Sequence, residues 1–230
     1  MGRIAIIDYG MGNLFSVVRA CITVGLNPVI TNNYNEILRA DGVILPGVGS
    51  FGEAMAQLKC LDLVLPLKDF IDSNRPFIGI CLGMQLLFSE SEEFGCYKGM
   101  NIFNGRVRKF SLFNTKNERV KVPHMAWDKI FRLPEMAESD WESSLLTGID
   151  NGEFMYFIHS YYVVPEERSF ILSMSDYENN QYCSAVHWKN IYGFQFHPEK
   201  SAAQGIRIYR NWASIIAGTG GKRDEATYKF

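Results

Sequence analysis

Residues 77–85 read Phe-Ile-Gly-Ile-Cys-Leu-Gly-Met-Gln, and the fold class follows from this stretch. Its apolar start predicts a buried strand, and the pattern after it predicts a helix over Leu82–Ser89. Gly79 and Gly83 flank Cys81 in the G-x-nucleophile-x-G pattern of a sharp strand-to-helix turn, where larger side chains would collide. Cys81 would then lie at a helix N-terminus, where the helix dipole favours a thiolate. The alternative is a small buried apolar cysteine, but the paired glycines favour a nucleophile.

The same alternation of strands and helices extends toward the N-terminus. Short, nearly all-apolar runs predict strands, and longer amphipathic patterns predict helices between them. Buried strands that alternate with helices are typical of a parallel sheet covered on both faces. The predicted strands are Arg3–Ile7, Pro28–Thr31 and Gly42–Leu45, and the predicted helices are Asn13–Val24, Phe51–Leu58 and Leu61–Asp72.

The pattern changes after Gly95 to strands separated by polar turns, which indicates additional antiparallel strands in the C-terminal half. A last amphipathic helix is predicted over Ala203–Ile216, and a glycine-rich and then charged sequence follows it. Because no repeat and no linker is evident, we expect one domain at 1–217 and a flexible C-terminal tail at 218–230. The predicted strands are Ile102–Phe110, Phe154–Ile158, Phe170–Met174, Ser184–Trp188 and Ile191–Phe196.

Composition and charge exclude several classes of protein. The 230 residues carry 23 basic and 25 acidic side chains, a net charge of −2, whereas a nucleic-acid scaffold needs a strong basic excess. No apolar stretch approaches the roughly 20 residues that span a bilayer, so we expect no membrane segment. The five cysteines are scattered without a CxxC pair, which favours free thiols and a cytoplasmic location.

A nucleophilic cysteine needs a base, and His197 is the strongest candidate among the four histidines. It follows a predicted strand, and Glu199 points to the same side of an extended chain, where its carboxylate can orient the imidazole. His124 and His159 lie in predicted loops or strand ends, and His187 lies on an alternating strand that favours a structural role. The histidines, cysteines and acidic residues show no metal-ligand spacing, so we expect no metal.

Two further glycine-rich segments follow predicted strands. Residues 10–15 begin like a dinucleotide fingerprint, but Phe15 occupies the third glycine position, and we expect no cofactor there. Residues 46–52 lack the Gly-Lys-Ser/Thr ending of a phosphate-binding loop. Their backbone can instead offer N–H groups to an oxyanion beside the cysteine turn. An ordinary tight turn is the alternative for this second segment.

Three motifs, in this order and spacing, resemble those of the class I glutamine amidotransferases. They are the oxyanion strand Pro46–Gly49, the nucleophile elbow Gly79–Gln85, and the base with its orienting carboxylate in Phe194–Glu199. Within this class, the chain to about Trp212 is similar to the glutaminase subunits of imidazole glycerol phosphate synthases. The stretches that discriminate this group are Ile7–Asn13, Pro46–Phe51, Lys121–Met125, Tyr156–Tyr161 and His197–Ser201.

The resemblance and the strand pattern together predict an α/β fold. We expect a single flavodoxin-like three-layer domain with a mixed, mainly parallel central sheet and additional antiparallel strands in the C-terminal half. The resemblance implies that Cys81 attacks the side-chain amide of L-glutamine, that His197 transfers protons and that Glu199 orients His197. The residues implied in the oxyanion hole are Gly47, Val48 and Leu82, and those implied in holding the glutamine are Gln85, Glu93, Ser160 and Tyr161.

The resemblance also implies a partner, a (β/α)₈-barrel cyclase subunit that receives the ammonia in a heterodimer. A paralogous pair that supplies ammonia for surface-polysaccharide sugar biosynthesis is an alternative, because Ala126 and Asn104 depart from the usual family pattern. A stand-alone cysteine hydrolase and a catalytically silent partner-binding subunit are further alternatives, which the intact triad disfavours. The residues implied at the partner interface or in gating are Asp8, Asn13, Met125 and Lys200.

Overall fold

The computed structural model describes residues 2–114 and 116–220. The strands are β1 (Arg3–Ile7), β2 (Asn27–Thr31), β3 (Gly42–Leu45), β4 (Phe77–Ile80), β5 (Phe88–Ser91), β6 (Tyr97–Lys98), β7 (Phe103–Lys109), β8 (His124–Lys129), β9 (Phe154–His159), β10 (Tyr161–Pro165), β11 (Ile171–Tyr177), β12 (Asn180–Trp188) and β13 (Ile191–Phe194). The helices are α1 (Leu14–Thr23), α2 (Tyr34–Arg39), α3 (Phe51–Cys60), α4 (Val64–Asp72), α5 (Leu82–Gln85), α6 (Glu138–Glu142) and α7 (Ala202–Gly220).

Over the described residues, the main sheet has eleven strands in the order β2-β1-β3-β4-β13-β12-β10-β7-β5-β6, and β11 pairs with β12. The first five strands in this order are parallel to one another. Their order is the one found in flavodoxin-like folds. The sheet continues through antiparallel pairings of β13 with β12, β12 with β10, and β10 with β7. The predicted α/β class with a mixed sheet is therefore confirmed.

The two faces of the sheet pack against separate helix layers. Side chains alternate along β1, where Ala5 and Ile7 join one hydrophobic core and Ile4 and Ile6 join the other. The first core includes buried residues of α2, α3 and α4, and the second includes buried residues of α1 and α7. This arrangement gives the three layers that the sequence predicted.

The helix predicted over Leu82–Ser89 is wrong in its second half. The helix ends at Gln85, and the chain continues as β5, which pairs with β7 and β6. Residues 82–88 are all buried, so their apolar pattern has no helical period that marks where a helix stops. The Leu87 carbonyl instead accepts a hydrogen bond from the Ile102 N–H at 2.8 Å, so tertiary pairing decides this boundary.

The C-terminal helix is longer than predicted, because α7 continues to Gly220. Residues 221–230, the remainder of the predicted tail, lie outside the described residues. The boundary between domain and tail stays a prediction. In the part of the chain that the structure describes, no helix is both long and apolar enough to cross a membrane.

The carboxyl ends of the parallel strands meet at one edge of the sheet. Tyr9 lies two residues beyond β1, Pro46 directly follows β3, Cys81 directly follows β4 and His197 follows β13. In open α/β sheets, ligands bind in the crevice outside this edge. The fold therefore brings the residues of the three sequence motifs to one place.

Candidate active site

Cys81 lies in the sharp turn between β4 and α5. Its backbone is left-handed, with φ +53° and ψ −109°, a conformation that costs about 1–3 kcal/mol for a residue other than glycine. A Cβ atom on Gly83 would lie 1.8 Å from the Leu45 carbonyl oxygen, and one on Gly79 would lie 2.8 Å from the Gly83 oxygen. The packing therefore requires glycine on both sides of the cysteine. Leu82 begins α5, so its N–H has no acceptor within the helix.

His197 and Glu199 form a buried pair beside Cys81. The His197 Nδ1 atom lies 2.7 Å from Glu199 Oε1, and the two side chains are only 3% and 2% exposed. Burial lowers the pKa of the His197 imidazole, but the Cys81 sulfur and the Glu199 carboxylate outweigh burial and raise this pKa to about 10. A protonated imidazole beside the sulfur favours a thiolate, so the three side chains provide a nucleophile and a proton carrier.

A buried chain of hydrogen bonds joins Cys81 to the opposite wall of the site. Gln195 donates from Nε2 to the Cys81 sulfur at 3.6 Å and accepts at Oε1 from Gln85 Nε2 at 3.0 Å. Gln85 Nε2 also donates to the Tyr161 carbonyl oxygen at 2.9 Å, and His159 Nδ1 lies 2.9 Å from the same oxygen. The Gln85 amide thus uses both hydrogens within the protein, which leaves its Oε1 to accept from a ligand.

The oxyanion strand, residues 46–49, packs against the residues that follow β1. The buried Tyr9 hydroxyl donates to the Pro46 carbonyl oxygen at 2.8 Å. A Cβ atom on Gly47 would lie 2.7 Å from the Tyr9 hydroxyl oxygen and 2.9 Å from the Gly83 nitrogen. The strand therefore lies directly against the elbow, and the Tyr9 hydroxyl holds its first carbonyl group.

Glu93 places a carboxylate in the same site. Its Oε2 atom accepts a hydrogen bond from the Phe51 N–H, the first residue of α3, at 2.6 Å. Burial raises the pKa of the Glu93 carboxyl group, although the Phe51 N–H and the Lys109 charge act in the opposite direction. An acidic group is therefore available to a ligand's cationic group.

These side chains surround a cavity of about 260 Å³. A cavity of this volume is smaller than a drug-sized binding pocket and suits a small polar ligand. Across residues 2–114 and 116–220, no cluster of three or more His, Cys, Asp and Glu side chains could hold a metal ion. The lining residues are Val48, Gly49, Cys81, Leu82, Gln85, Glu93, Pro123, Ile158, His159, Ser160, Tyr161 and His197.

The family model of the class I glutamine amidotransferases matches residues 5–214 of the chain. The chain belongs to this family. It is 44% identical to imidazole glycerol phosphate synthase subunit HisH of Syntrophotalea carbinolica, over 92% of the chain and 100% of that protein. It is 42% identical to the protein of the same name from Aquifex aeolicus, over 91% of the chain and 95% of that protein.

Solved structures of other proteins share the fold of this amidotransferase at low sequence identity. The structure of PurLQS from Thermotoga maritima matches with a TM-score of 0.68 and 15% identity, over 94% of this chain and 100% of that chain. The glutaminase domain of Trypanosoma brucei CTPS with bound acivicin matches with a TM-score of 0.62 and 18% identity, over 95% and 94%. At these identities the likeness shows the fold alone.

The four residues predicted at the partner interface of the amidotransferase are absent from the cavity lining. Met125 is 55% exposed, and the exposed Lys200 places its Nζ atom 5.7 Å from the centre of the Tyr156 ring. Asp8 and Asn13 are partly buried and accept hydrogen bonds from nearby backbone N–H groups. Their roles toward a partner stay predictions.

An apolar face formed by β8 and β9 lies next to the cavity. Met125 pairs with Ile158, and Trp127 pairs with Tyr156, so their side chains share one side of this two-stranded sheet. We call these four residues the β8–β9 face. Ile158 also lines the cavity. The face therefore reaches from the protein surface to the wall of the candidate active site.

Sequence reasoning missed two residues that contact the predicted site residues. Gln195 lies within the base motif and Tyr9 within a family stretch without being singled out by either, yet Gln195 donates to the Cys81 sulfur and Tyr9 donates to the Pro46 carbonyl oxygen. The signal for Gln195 is its place between Phe194 and Phe196, because a glutamine in a buried apolar segment needs hydrogen-bond partners.

The other four cysteines lie outside the cavity lining, and all five are free. Cys21 and Cys183 are buried, and burial raises the pKa of the Cys21 thiol to about 12. Cys60 and Cys96 are exposed at positions remote from the elbow in sequence. A buried thiol with a raised pKa is a poor nucleophile, so Cys21 is unsuited to this role.

Proposed function

We propose that this amidotransferase hydrolyses L-glutamine to glutamate and ammonia, with Cys81, His197 and Glu199 as its catalytic triad. The observation that supports the proposal most strongly is one cavity lined by both the elbow cysteine and His197, whose imidazole pairs with the buried Glu199 behind it. Family membership supports glutaminase activity, and we assign the chemical steps to these three side chains because their chemistry suits a nucleophile, a base and an orienting carboxylate.

In the first half of the reaction, the Cys81 thiolate attacks the side-chain amide carbon and forms a C–S bond. The carbonyl oxygen becomes an oxyanion, which the N–H of Leu82 and the Gly47–Val48 peptide stabilise. Protonated His197 then gives its proton to the departing nitrogen. The C–N bond breaks, ammonia leaves, and a γ-glutamyl thioester remains on Cys81.

In the second half, the oxygen of a water molecule attacks the thioester carbon while neutral His197 takes a proton from that water. The new tetrahedral species collapses, the C–S bond breaks, and the electron pair returns to sulfur as the thiolate. The product carboxyl group loses its proton to solvent. Glu199 holds the His197 ring in place and stabilises its protonated form through both halves.

The walls of the cavity supply contacts for the rest of the glutamine molecule. We assign the Gln85 Oε1 atom and the Glu93 carboxylate to the α-ammonium group, because both accept hydrogen bonds. We assign the backbone of Ser160 and Tyr161 to the α-carboxylate. The Tyr161 carbonyl is held by both Gln85 and His159, so the start of β10 is well anchored.

We further propose that the ammonia passes to a partner, a (β/α)₈-barrel cyclase subunit that makes imidazole glycerol phosphate for histidine biosynthesis. Support comes from relatives at 42–44% identity that are named subunit HisH of imidazole glycerol phosphate synthase, a name that implies a second subunit. The β8–β9 face, with Lys200 beside it, is the surface we assign to this partner. Asp8 and Asn13 lie on the same edge as the cavity and belong to this assignment.

Among the alternatives, these relatives favour histidine biosynthesis over the supply of ammonia for surface-polysaccharide sugars. The intact triad disfavours a silent subunit, and family membership disfavours a stand-alone hydrolase of another kind. We propose a single amidotransferase domain that ends near residue 217, and a cytoplasmic location, because all five cysteines are free.

A comparison of glutamine and added ammonium as nitrogen sources tests this function. In the complex with the cyclase, Cys81→Ala should abolish glutamine-dependent synthesis and spare synthesis from added ammonium. Cys60→Ala, a change at an exposed cysteine, should leave both activities unchanged. Loss of both activities in Cys81→Ala, with the complex still assembled, would contradict the transfer of ammonia between subunits.

Activation by the partner is a second test of the proposed function. The isolated chain should hydrolyse glutamine slowly, and the rate should rise when the cyclase and its ligand are added. The physical reason is that residues 46–49 must be set correctly before the oxyanion hole forms. Full glutaminase activity of the isolated chain would overturn the proposed dependence on a partner.

A further inference from the structure

We propose that Gln195 is a positioning residue that holds the Cys81 sulfur and links it, through Gln85, to the wall that receives the substrate. The inference rests on the proposed glutaminase function, since it assigns Gln195 a task in the same reaction. The supporting observation is a chain of hydrogen bonds that runs from Tyr161 through Gln85 and Gln195 to Cys81.

The direction of every bond in this chain follows from its first member. The Tyr161 carbonyl oxygen can only accept, so the Gln85 atom 2.9 Å away must be the nitrogen Nε2. The same nitrogen lies 3.0 Å from the Gln195 side chain, which must therefore present its oxygen to Gln85. The Gln195 nitrogen is left facing the Cys81 sulfur at 3.6 Å, and a flipped Gln195 amide would place two donors against each other.

Gln195 is a polar residue in fully buried, apolar surroundings. The residue is fully buried between Phe194 and Phe196, and its backbone N–H already bonds to the Ser184 carbonyl at 2.9 Å. A polar side chain in such surroundings loses its water contacts, so an apolar residue would be the simpler occupant. Both ends of the Gln195 amide have a partner in the active site, because its oxygen accepts from Gln85 and its nitrogen donates to the Cys81 sulfur.

The charge on the Cys81 sulfur determines whether a neighbouring hydrogen-bond donor or acceptor stabilises it. The Ile158 carbonyl oxygen, 3.9 Å from the Cys81 sulfur, can only accept and so can interact favourably with a thiol alone. Gln195 donates, and a hydrogen bond to a charged group is about twice as strong as a neutral one. Gln195 therefore favours the attacking form of Cys81 and fixes the direction of its sulfur.

The two ends of the chain define the distance between nucleophile and substrate site. Tyr161, the first residue of β10, belongs to the backbone segment that we assign to the substrate carboxylate, and Cys81 must meet the other end of the same glutamine molecule. Buried hydrogen bonds through two amides make this spacing rigid. Gln195 thus acts through Cys81 and Gln85, without touching the substrate.

Two substitutions separate positioning of the sulfur from support of Gln85. Gln195→Met keeps a similar volume and removes both hydrogen bonds. Gln195→Glu keeps an oxygen that accepts from Gln85 and replaces the donor to sulfur with a second oxygen. A role confined to supporting Gln85 predicts that the uncharged Gln195→Met alkylates at Cys81 like the wild type, whereas our proposal predicts that both variants are impaired.

The readout is alkylation of Cys81 by iodoacetamide as a function of pH, followed by mass spectrometry that resolves each cysteine. In both variants, the pH of half-maximal Cys81 alkylation should move upward, while the exposed Cys60 and Cys96 serve as internal references. Turnover of glutamine in the complex should fall about tenfold to hundredfold, the value of one hydrogen bond to a charged group, with a smaller change in KM.

The control is Ser144→Ala, which removes a buried hydrogen bond to the Trp141 carbonyl near the end of α6, away from Gln195 and Cys81. It should leave the pH profile of Cys81 alkylation unchanged. An unchanged Cys81 profile in Gln195→Met would overturn the proposal. Alkylation needs neither glutamine nor a partner, so a failure of the proposed function, seen as no glutaminase activity in the wild-type complex, is a distinguishable result.

A measurement on the wild-type chain covers the case in which the variants do not fold. Alkylation converts the Cys81 thiolate, the charged acceptor, into a neutral thioether. The chemical shift of the Gln195 side-chain N–H proton that donates to this sulfur should therefore change in the NMR spectrum. The Gln204 amide, which bonds to Glu153 away from the site, should not respond. A Gln195 amide signal that is insensitive to the state of Cys81 would overturn the proposal.

Discussion

At Cys81, two sets of backbone hydrogen bonds hold a left-handed residue in place. Its N–H donates to the Phe194 carbonyl at 2.7 Å, and its carbonyl accepts from the N–H groups of Met84 and Gln85 at 3.1 and 3.2 Å. The first bond continues the pairing of β4 with β13, and the others begin α5. Strain at the nucleophile is therefore stabilised by the two elements that it joins.

The Glu199 carboxylate adds to the effect of the Cys81 sulfur in raising the pKa of His197. Because the carboxylate stabilises the imidazolium, Glu199→Gln should lower the pKa of His197 from its raised value near 10. The activity that depends on protonated His197 should then be lost at lower pH than in the wild type. Measurement of glutaminase kcat/KM across neutral and alkaline pH checks this prediction.

The matched control for Glu199→Gln is Glu135→Gln, which removes an exposed ion pair with Arg168. Such surface pairs contribute about 0–1 kcal/mol to stability, and this one lies outside the cavity lining. The control should retain the wild-type pH profile. An alkaline limb that stays in place in Glu199→Gln would show that Glu199 does not set the protonation of His197.

At the scale of elements, the segments after β1 and β3 form one packed unit. Tyr9 bonds to Pro46, a Cβ atom on Gly12 would lie 3.3 Å from the Pro46 side chain, and one on Gly49 would lie 2.5 Å from Met11 Cε. Asp8 and Asn13 belong to the same stretch. A shift of the segment after β1 would therefore also displace the oxyanion strand, residues 46–49.

Removal of the Tyr9 hydroxyl tests this contact. Tyr9→Phe leaves the Pro46 carbonyl without its donor, so the position of residues 46–49 should be less well defined. Since the oxyanion forms only in the transition state, kcat of the complex should fall several-fold with little change in KM.

Tyr34→Phe provides the comparison for Tyr9→Phe, because the exposed Tyr34 hydroxyl bonds to Asp69 on the outer helices. It should leave both kinetic constants unchanged. If KM rises in Tyr9→Phe while kcat stays constant, the hydroxyl contributes to glutamine binding rather than to the oxyanion hole.

Local patterns were sufficient to predict some elements and not others. β1, β3 and β4 are short apolar runs that end at Asp, Pro or the elbow, so their type and bounds followed from the sequence. β5 was missed because residues 82–88, which lead into it, are all buried and show no period, and β8 was missed because its pairing partner β9 lies about thirty residues away. Periodicity cannot detect a pairing between distant segments.

The same limit applies to the candidate site. Cys81, His197 and Glu199 belong to motifs whose meaning is local, so they could be named from spacing. The chain from Tyr161 through Gln85 to Gln195 joins three segments that are 76 and 110 residues apart. Only the assembled sheet brings these amides together, which is why the position of Gln195 against the sulfur was not predicted.

At the scale of the whole molecule, the β8–β9 face connects the cavity to the outside. Met125→Asp places a charge on this face, and we expect the Kd for the cyclase to rise at least tenfold, or about 1.4 kcal/mol. The free energy of unfolding should stay the same, because Met125 is more than half exposed. Titration calorimetry with the purified cyclase measures the effect.

Leu65→Asp is the control for Met125→Asp, because Leu65 is equally apolar and 63% exposed on α4. Helix α4 packs on the core opposite to that of α1 and α7. This variant should bind the cyclase like the wild type. Equal loss of affinity in both variants would indicate a nonspecific effect of added charge and contradict the assigned face.

A buried histidine links the stability of the molecule to pH. Burial, followed by the nearby His124, lowers the pKa of His159 to about 3. An unfolded histidine has a pKa near 6.5, so the neutral His159 stabilises the fold fully above pH ~6.5. This contribution is lost as pH falls from about 6.5 toward 3, because the unfolded state then binds the extra proton.

His159→Gln removes this titration and keeps a side-chain N–H that can donate to the Tyr161 carbonyl. We expect its urea midpoint to decline less steeply than that of the wild type as pH falls below 6.5. Urea unfolding at a series of mildly acidic pH values measures the two slopes. Parallel declines would show that another group is responsible for the loss of stability in acid.

The assignment of Cys81 as the nucleophile is tested most directly by identifying the residue that carries the acyl group during turnover. The complex is mixed with L-glutamine, quenched in acid within a turnover and digested, and each cysteine peptide is measured by mass spectrometry. We expect a γ-glutamyl adduct on Cys81, absent from Cys81→Ala. An adduct on another residue, or glutamine hydrolysis at the wild-type rate by Cys81→Ala, would contradict this assignment.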